Sequence, residues 1–151
     1  CGLNPISLSL SDWQGEYFAY DINREEISFL QKFFLILKSV TNINGHASCF
    51  NLSETEKISS LPKADLCLIF KVTDVLEQKK YKKHKITEEL IQKLPCRFIL
   101  LSFSTKTLSG KPMTAPERNW LKWLLERLKY QYQILKYPSE IFYLIDKGEQ
   151  K

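Results

Sequence analysis

The sequence has few of the residues that build metal sites and disulfide frameworks, and it has no long apolar run. Its 151 residues include four cysteines and two histidines. No Cys-x-x-Cys pair occurs, and the cysteine spacing suits neither a zinc site nor a disulfide framework. No apolar run approaches the roughly 18 residues that a membrane-spanning helix needs. We therefore expect a cytoplasmic chain with reduced cysteines, no metal ion and no membrane partner.

The composition is that of one globular domain with a basic balance. Hydrophobic residues make up 44% and charged residues 26%, and the length suits a single domain over residues 1–151. The net charge of +5 favours a polyanionic partner such as nucleic acid or an acidic membrane surface, although a merely lysine-rich protein has the same balance. Because the first residue is Cys and not Met, either a start was processed away or the sequence is a fragment, and the first motif, described below, favours the fragment.

Strand-like and helix-like segments alternate, which predicts an α/β fold with a parallel sheet and helices on its faces. The segment 64–72 is almost wholly apolar, which predicts a central strand. The last two strands, 131–136 and 140–146, are joined by three residues and must form an antiparallel hairpin. The other predicted strands are 16–22, 46–52 and 97–104, and the predicted helices are about 24–40, 73–93 and 117–130.

A glycine turn and a later carboxylate form the first candidate site. Cys1, Gly2, Asn4 and Pro5 belong to a short turn in which glycine lets the backbone approach a ligand closely. Asp21 ends the next predicted strand, where a carboxylate can accept hydrogen bonds from a ribose diol. The alternative for Asp21 is an acid that stabilises the N-terminus of the following helix.

A second candidate site follows the most apolar strand. Phe70 and Lys71 lie at its carboxyl end, the edge where open α/β sheets bind ligands. Lys71 either faces the ligand cleft or extends into solvent. Glu77, six residues later, is either an acid in the first turn of a helix or a polar anchor for a cofactor or target base.

Two basic segments are candidates for nucleic-acid contact. A polar loop after the fourth strand carries Lys106 and Lys111, which can hold phosphates. The run 79–85 (KKYKKHK) has five lysines around Tyr81, whose ring can stack on a base. Either segment can instead be a solvated surface. The lysines of the run predicted to contact RNA are Lys79, Lys80, Lys82 and Lys83.

These segments together resemble the 16S ribosomal RNA guanine-N7 methyltransferases, which include aminoglycoside-resistance enzymes. CGLNP, AYDIN, ADLCLIFKVTDVLEQ, FILLSFSTKTLSGK and SEIFYLI occur in the order and spacing of that family over essentially the whole chain. The KVTDVLE spacing and the SFSTKTLSGK loop are the specific parts. The resemblance implies a Rossmann-like, class I S-adenosylmethionine-dependent methyltransferase fold, with a mostly parallel sheet that ends in an antiparallel hairpin. It also implies that the first strand is missing from this sequence.

The resemblance assigns roles to the candidate residues. It implies that Gly2 and its neighbours line the methionine end of S-adenosylmethionine and that Asp21 binds the ribose hydroxyls. Lys71 and Glu77 match family positions that are needed for activity. The remaining residues predicted to bind the cofactor are Ile22, Asn51, Leu52 and Phe70.

At two places the sequence departs from the family pattern. The family has an acid that contacts adenine, whereas this sequence has Asn51 in that stretch, so an amide replaces the carboxylate. Lys106 and Lys111 stand where the family usually has arginine, which keeps the charge but loses the two-pronged guanidinium contact.

The leading hypothesis is methyl transfer to N7 of a guanine in the decoding region of 16S rRNA, within the small ribosomal subunit, with aminoglycoside resistance as a further step. Guanine N7 has a lone pair and no proton, so we expect catalysis by orientation of a flipped base, without a catalytic histidine. Two alternatives stay open: a methyltransferase acting on another RNA or a small molecule, and a degenerate RNA-binding remnant. The basic run opposes the small molecule. Asn51 and the missing strand favour the remnant, whereas Asp21, Lys71 and Glu77 oppose it.

Overall fold

A computed structural model describes residues 2–77, 84–107, 109–114 and 116–148. The chain divides into two compact units, Cys1–Asn51 and Leu52–Lys151, so the single domain over 1–151 stays a prediction. Among the described residues, no helix is both long enough and apolar enough to cross a membrane.

The first unit is a two-stranded parallel sheet that packs against one long helix. After a 3-10 helix at Asn4–Leu10, the chain forms β1 (Gly15–Asp21), α1 (Arg24–Val40) and β2 (Ile43–Cys49). β1 and β2 pair in parallel. The buried side chains of α1 recur at three- and four-residue spacing, as the sequence predicts, and they are Ile27, Leu30, Phe34 and Leu37.

α1 begins at the predicted cap. The side-chain oxygen of Asn23 accepts hydrogen bonds from the backbone N–H of Glu25 at 3.0 Å and of Glu26 at 3.3 Å. Both glutamates lie in the first turn, where the helix dipole favours negative charge. The predicted N-terminal boundary of this helix is therefore confirmed.

β2 begins earlier than predicted. The sequence pattern places a turn at 42–45, but the strand starts at Ile43, which is 1% exposed, and Gly45 lies inside it. A Cβ atom added at Gly45 would lie 2.0 Å from Cδ1 of the Phe34 ring. Gly45 therefore allows α1 to approach the sheet closely, a role that glycine has in strands as well as in turns.

We predict that Gly45→Ala lowers the free energy of unfolding by about 1–3 kcal/mol, because the added methyl group overpacks against the ring of Phe34. Denaturant unfolding of the variant and the wild type measures the change. Ser48→Ala, at an exposed position of the same strand, is the matched control and should change stability little. Equal stabilities of the two variants would contradict the close approach of α1.

The second unit contains a four-stranded mixed sheet with the order β3-β4-β6-β5. Its strands are β3 (Ala64–Phe70), β4 (Cys96–Ser104), β5 (Gln131–Lys136) and β6 (Glu140–Asp146). β3 and β4 are parallel, whereas β6 is antiparallel to both β4 and β5. The hairpin predicted from the three-residue link is therefore present.

β3 does not have the central position predicted for it. Among the described residues it lies at the edge of its sheet, and Leu66 and Leu68 are 46% and 41% exposed. An apolar run shows that a strand is hydrophobic, but it does not identify the neighbouring strands. The position of β3 within the sheet therefore could not be predicted from its hydrophobicity.

The helices of the second unit are shorter than predicted. A 3-10 helix at Thr55–Ser60 precedes β3, and the α-helices are α2 (Thr73–Leu76), α3 (Lys85–Lys93) and α4 (Asn119–Leu128). The single helix predicted at 73–93 is wrong, since α2 ends at Leu76 and His84, before α3, has a left-handed φ of 64°. Fully buried side chains of the unit include Leu90, Ile91, Ile99, Leu101, Leu121, Leu125, Tyr143 and Ile145.

Candidate functional site

Gly2 and Asp21 lie in contact although 19 residues separate them. The N–H of Gly2 donates to Oδ2 of Asp21 at 2.9 Å, and the N–H of Asn23 donates to Oδ1 at 3.0 Å. Partial burial raises the pKa of Asp21, but hydrogen bonds, those from Gly2 and Asn23 among them, outweigh this effect and hold the pKa below its usual value of 3.8. A charged carboxylate therefore stands beside the glycine turn, where an acid that binds ribose is expected.

The other predicted cofactor residues of the first unit differ in exposure. Pro5 is buried in the 3-10 helix, and Asn4 beside it is exposed. Ile22 is 72% exposed, and Asn51 is exposed at the end of the unit. Cys1 lies outside the described residues. The structure thus joins the turn to Asp21 and leaves the side chains of Ile22 and Asn51 accessible to a ligand.

Leu52 and Phe70 are the predicted cofactor residues of the second unit. Leu52 is half-buried at the start of that unit. Phe70, at the end of β3, is also half-buried, and its ring meets that of Phe142 edge to face with centroids 5.8 Å apart. Phe70 is therefore held by an aromatic contact with β6.

Lys71 follows β3 in an unusual backbone conformation. Its φ of 55° is left-handed, which costs a non-glycine residue about 1–2 kcal/mol. Its N–H donates to the carbonyl of Ser102 at 3.1 Å, and its ammonium lies 2.5 Å from Oε1 of Glu140. The side chain of Lys71 is 55% exposed and that of Glu140 is 18% exposed. Lys71 is therefore anchored to β6, while part of its side chain stays open to solvent.

Glu77 caps a helix that begins further along the chain. Its Oε1 accepts hydrogen bonds from the N–H and the hydroxyl of Thr87, both at 2.8 Å. Thr87 is fully buried in the first turn of α3, and His84 at the N-cap makes no side-chain cap hydrogen bond. The carboxylate satisfies an N–H that the helix cannot pair internally, and it adds a favourable charge at the N-terminus. Glu77 is the C-cap residue that follows α2, so it is not the first-turn acid of its own helix.

We predict that Glu77→Ala lowers the free energy of unfolding by about 1–3 kcal/mol, because the buried polar groups of Thr87 lose their acceptor. The matched control is Glu88→Ala, which removes a partly exposed ion pair with Arg127 from the same helix turn and should cost less than about 1 kcal/mol. Urea unfolding measures the free energy of unfolding of both variants. Equal decreases would show that the Glu77 cap stabilises the protein no more than an exposed ion pair does.

Arg118 makes structural contacts near the candidate site that the sequence patterns do not reveal. Its guanidinium lies 2.8 Å from Oδ2 of Asp74 in α2, and it donates to the carbonyl of Pro116 at 2.9 Å. It also lies over the ring of Phe103, 4.9 Å from the centroid, with only 11% of its side chain exposed. Arg118 thereby connects the start of α4 to the segment after Lys71.

Lys106 and Lys111 belong to one tight loop. Lys106 forms an isolated antiparallel bridge with Pro112, and the N–H of Thr107 donates to the carbonyl of Lys111 at 2.9 Å. Both lysines are exposed, so their ammonium groups are accessible to a polyanion. The other predicted RNA contacts lie outside the described residues and stay predictions: Lys79, Lys80, Lys82 and Lys83.

An open cavity of about 410 Å³ lies beside Glu140. The ring of Tyr137 meets that of Phe142 edge to face, with centroids 5.6 Å apart. Ser102 is opposite Phe142 in the sheet register and is fully buried, and its hydroxyl has no hydrogen-bond partner among the described residues. The lining residues are Leu100, Leu135, Tyr137, Ser139, Glu140 and Phe142.

Comparison with known families gives one match. The sequence model of the family described as "Ribosomal RNA methyltransferase (FmrO)" matches residues 1–129. A search of curated proteins found no match.

Comparison with solved structures gives several matches of the same fold. The 16S rRNA methylase ArmA is 24% identical with a TM-score of 0.64, and the match covers 97% of this chain and 70% of that chain. An rRNA methylase from Escherichia coli is 20% identical with a TM-score of 0.68, over 98% of this chain and 55% of that chain. The 16S rRNA methyltransferase RmtF, in complex with S-adenosyl-L-homocysteine, is 20% identical with a TM-score of 0.56, over 97% of this chain and 60% of that chain. The chain thus has the fold of these enzymes and spans 55% to 70% of their length.

Proposed function

The chain belongs to the FmrO family of ribosomal RNA methyltransferases, and on that premise we propose that it transfers a methyl group from S-adenosylmethionine to N7 of a guanine in the decoding region of 16S rRNA. The substrate is the small ribosomal subunit. The observation that carries the proposal is the contact between the glycine turn and the charged carboxylate of Asp21. The SFSTKTLSGK loop and the Lys71–Glu77 spacing support the guanine-N7 assignment by resemblance.

The cofactor fits the residues of the first unit. Asp21 is ionised at neutral pH and can accept two hydrogen bonds from a ribose diol. The backbone at Gly2 is open to a ligand, since an added Cβ atom would meet its nearest neighbour, Oε2 of Glu26, only at 3.8 Å. Asn51 offers an amide to adenine in place of the acid of the family. The S-adenosyl-L-homocysteine in the RmtF structure supports this choice of cofactor.

The proposed reaction requires the protein mainly to orient the target guanine relative to the methyl group of the cofactor. When bound, S-adenosylmethionine supplies a methyl group on a positively charged sulfur. Because guanine N7 has a lone pair and no proton, this methyl group would be transferred without proton transfer, and S-adenosylhomocysteine would be the neutral leaving group. In this proposal Lys71 contacts the flipped base, and Glu77 supports the site through α3.

The basic residues serve RNA binding. Lys106 and Lys111 are exposed on a loop whose base is tied by backbone hydrogen bonds, so they contact phosphates without reorganising the sheet. The lysines of the run 79–83 add further charge. Binding of this type weakens steeply as salt rises.

We predict that small subunits incubated with the protein and S-adenosylmethionine acquire a single N7-methylguanine in the decoding region. Borohydride and aniline cleave the RNA at that base, and primer extension then stops there. Subunits incubated with the protein but without S-adenosylmethionine are the control. A cleavage pattern identical to that of the control would contradict the proposed function, whereas a methyl group elsewhere in the RNA would support the alternative of another RNA target.

We predict that Asp21→Asn weakens binding of S-adenosylmethionine by roughly 10- to 100-fold, because the ribose loses a charged acceptor. Calorimetric titration of the protein measures the affinity. The matched control, Glu25→Gln, removes an exposed acid from the first turn of α1 and should bind as the wild type does. Unchanged affinity of Asp21→Asn would remove Asp21 from the cofactor site.

A further inference from the structure

We propose that the cavity beside Lys71 is the pocket for the flipped target guanine, and that Glu140 reads the Watson–Crick edge of that base. The inference rests on the proposed function and extends it to the residues that select the base. Lys71 follows β3 and does not line the cavity, but its ion pair with Glu140, which does line it, brings the ammonium group close to this wall.

The walls of the cavity suit a planar aromatic ligand. The cavity is open to solvent, and its volume of about 410 Å³ is large enough to take one base. Leu100, Leu135 and Phe142 supply apolar surface, and Tyr137, which is 57% exposed, supplies a ring on which a base can stack. Enzymes that act on a flipped base hold it in this way, between aromatic or apolar side chains.

The ion pair presents the polar groups that guanine requires. Along its Watson–Crick edge guanine has two adjacent donors, the N2 amino group and N1–H, and the O6 acceptor lies next to N1–H. A carboxylate has about four lone-pair sites, so Glu140 can accept from both donors while Oε1 still faces Lys71. The ammonium of Lys71 has three donors and can give one to O6. Adenine presents an acceptor at N1, which the carboxylate would repel.

This contact also leaves the reacting atom free. N7 lies on the opposite edge of the purine from N1 and the N2 amino group, so a base held by Glu140 exposes N7. The backbone around Glu140 is fixed, because the N–H of Tyr137 donates to its carbonyl at 2.9 Å. Lys71 has a strained, left-handed φ, and strained backbone conformations are concentrated at ligand-binding sites. This conformation is consistent with the proposed contact between Lys71 and the base.

The test compares guanine with inosine, which lacks only the N2 amino group. Small subunits are reconstituted with 16S rRNA that carries either base at the guanine mapped by cleavage, and methyl transfer is measured as kcat/KM. We expect the wild type to prefer guanine by roughly 10- to 100-fold, the size of one hydrogen bond to a charged group. In Glu140→Gln the preference should fall toward one, because the amide nitrogen faces a donor of the base.

Glu117→Gln is the matched control, since Glu117 also forms an ion pair, with Lys136 at 2.5 Å, but does not line the cavity. It should keep the wild-type preference. An unchanged preference in Glu140→Gln would overturn the inference while leaving the proposed function intact. Absence of transfer by the wild type to either RNA would instead overturn the proposed function, and the inference with it.

A second variant tests the pocket independently of Glu140. Tyr137→Ser removes the stacking ring but not the groups that read the edge of the base. It should lower transfer to both RNAs by roughly 5- to 100-fold and keep the preference for guanine. Undiminished transfer by this variant would overturn the assignment of the cavity as the guanine pocket.

Discussion

The antiparallel pairing of β6 between β4 and β5 is the constraint on which the second half of the candidate site depends. Because β6 runs against β4, its first residue, Glu140, lies opposite Ser104 at the end of β4. β3 runs parallel to β4, so Lys71 reaches the same edge after Phe70. A parallel strand in the place of β6 would bring its last residue, Asp146, to this edge and would move Glu140 to the opposite end of the sheet.

The short helix α3 shows how charge sets the position of an element near the site. It has nine residues, too few to be stable by propensity alone. Glu77 supplies a carboxylate at its N-terminus, and the ammonium of Lys147 donates to the carbonyls of Leu94 at 2.6 Å and Ile91 at 3.1 Å at its other end. Burial lowers the pKa of Lys147. Each charge has the sign that the helix dipole favours at that end, so α3 is held where the fold requires it.

The sequence predicts those features whose cause is local. The cap at Asn23 and the hairpin after Lys136 depend on neighbouring residues, and both are found. Gly45 looks like a turn residue because its close partner, Phe34, belongs to another element. Glu77 looks like an acid of its own helix for the same reason, since the group it caps is Thr87. A contact between distant residues leaves no mark in a single sequence, so the partners of Lys71 and Glu77 could not be predicted.

The ion pair of Lys71 and Glu140 also bears on how the product leaves. In the proposed reaction, methylation at N7 places a positive charge on the guanine, and an isolated carboxylate in the pocket would hold that cation more tightly than the neutral substrate. With Lys71 only 2.5 Å away, the carboxylate belongs to a pair with no net charge. Such a pair offers a hydrogen-bond acceptor and a donor side by side. Because its net charge is zero, it would bind the positively charged product little more tightly than the neutral substrate. In the proposed reaction, the pair would therefore favour selection of guanine without trapping N7-methylguanine.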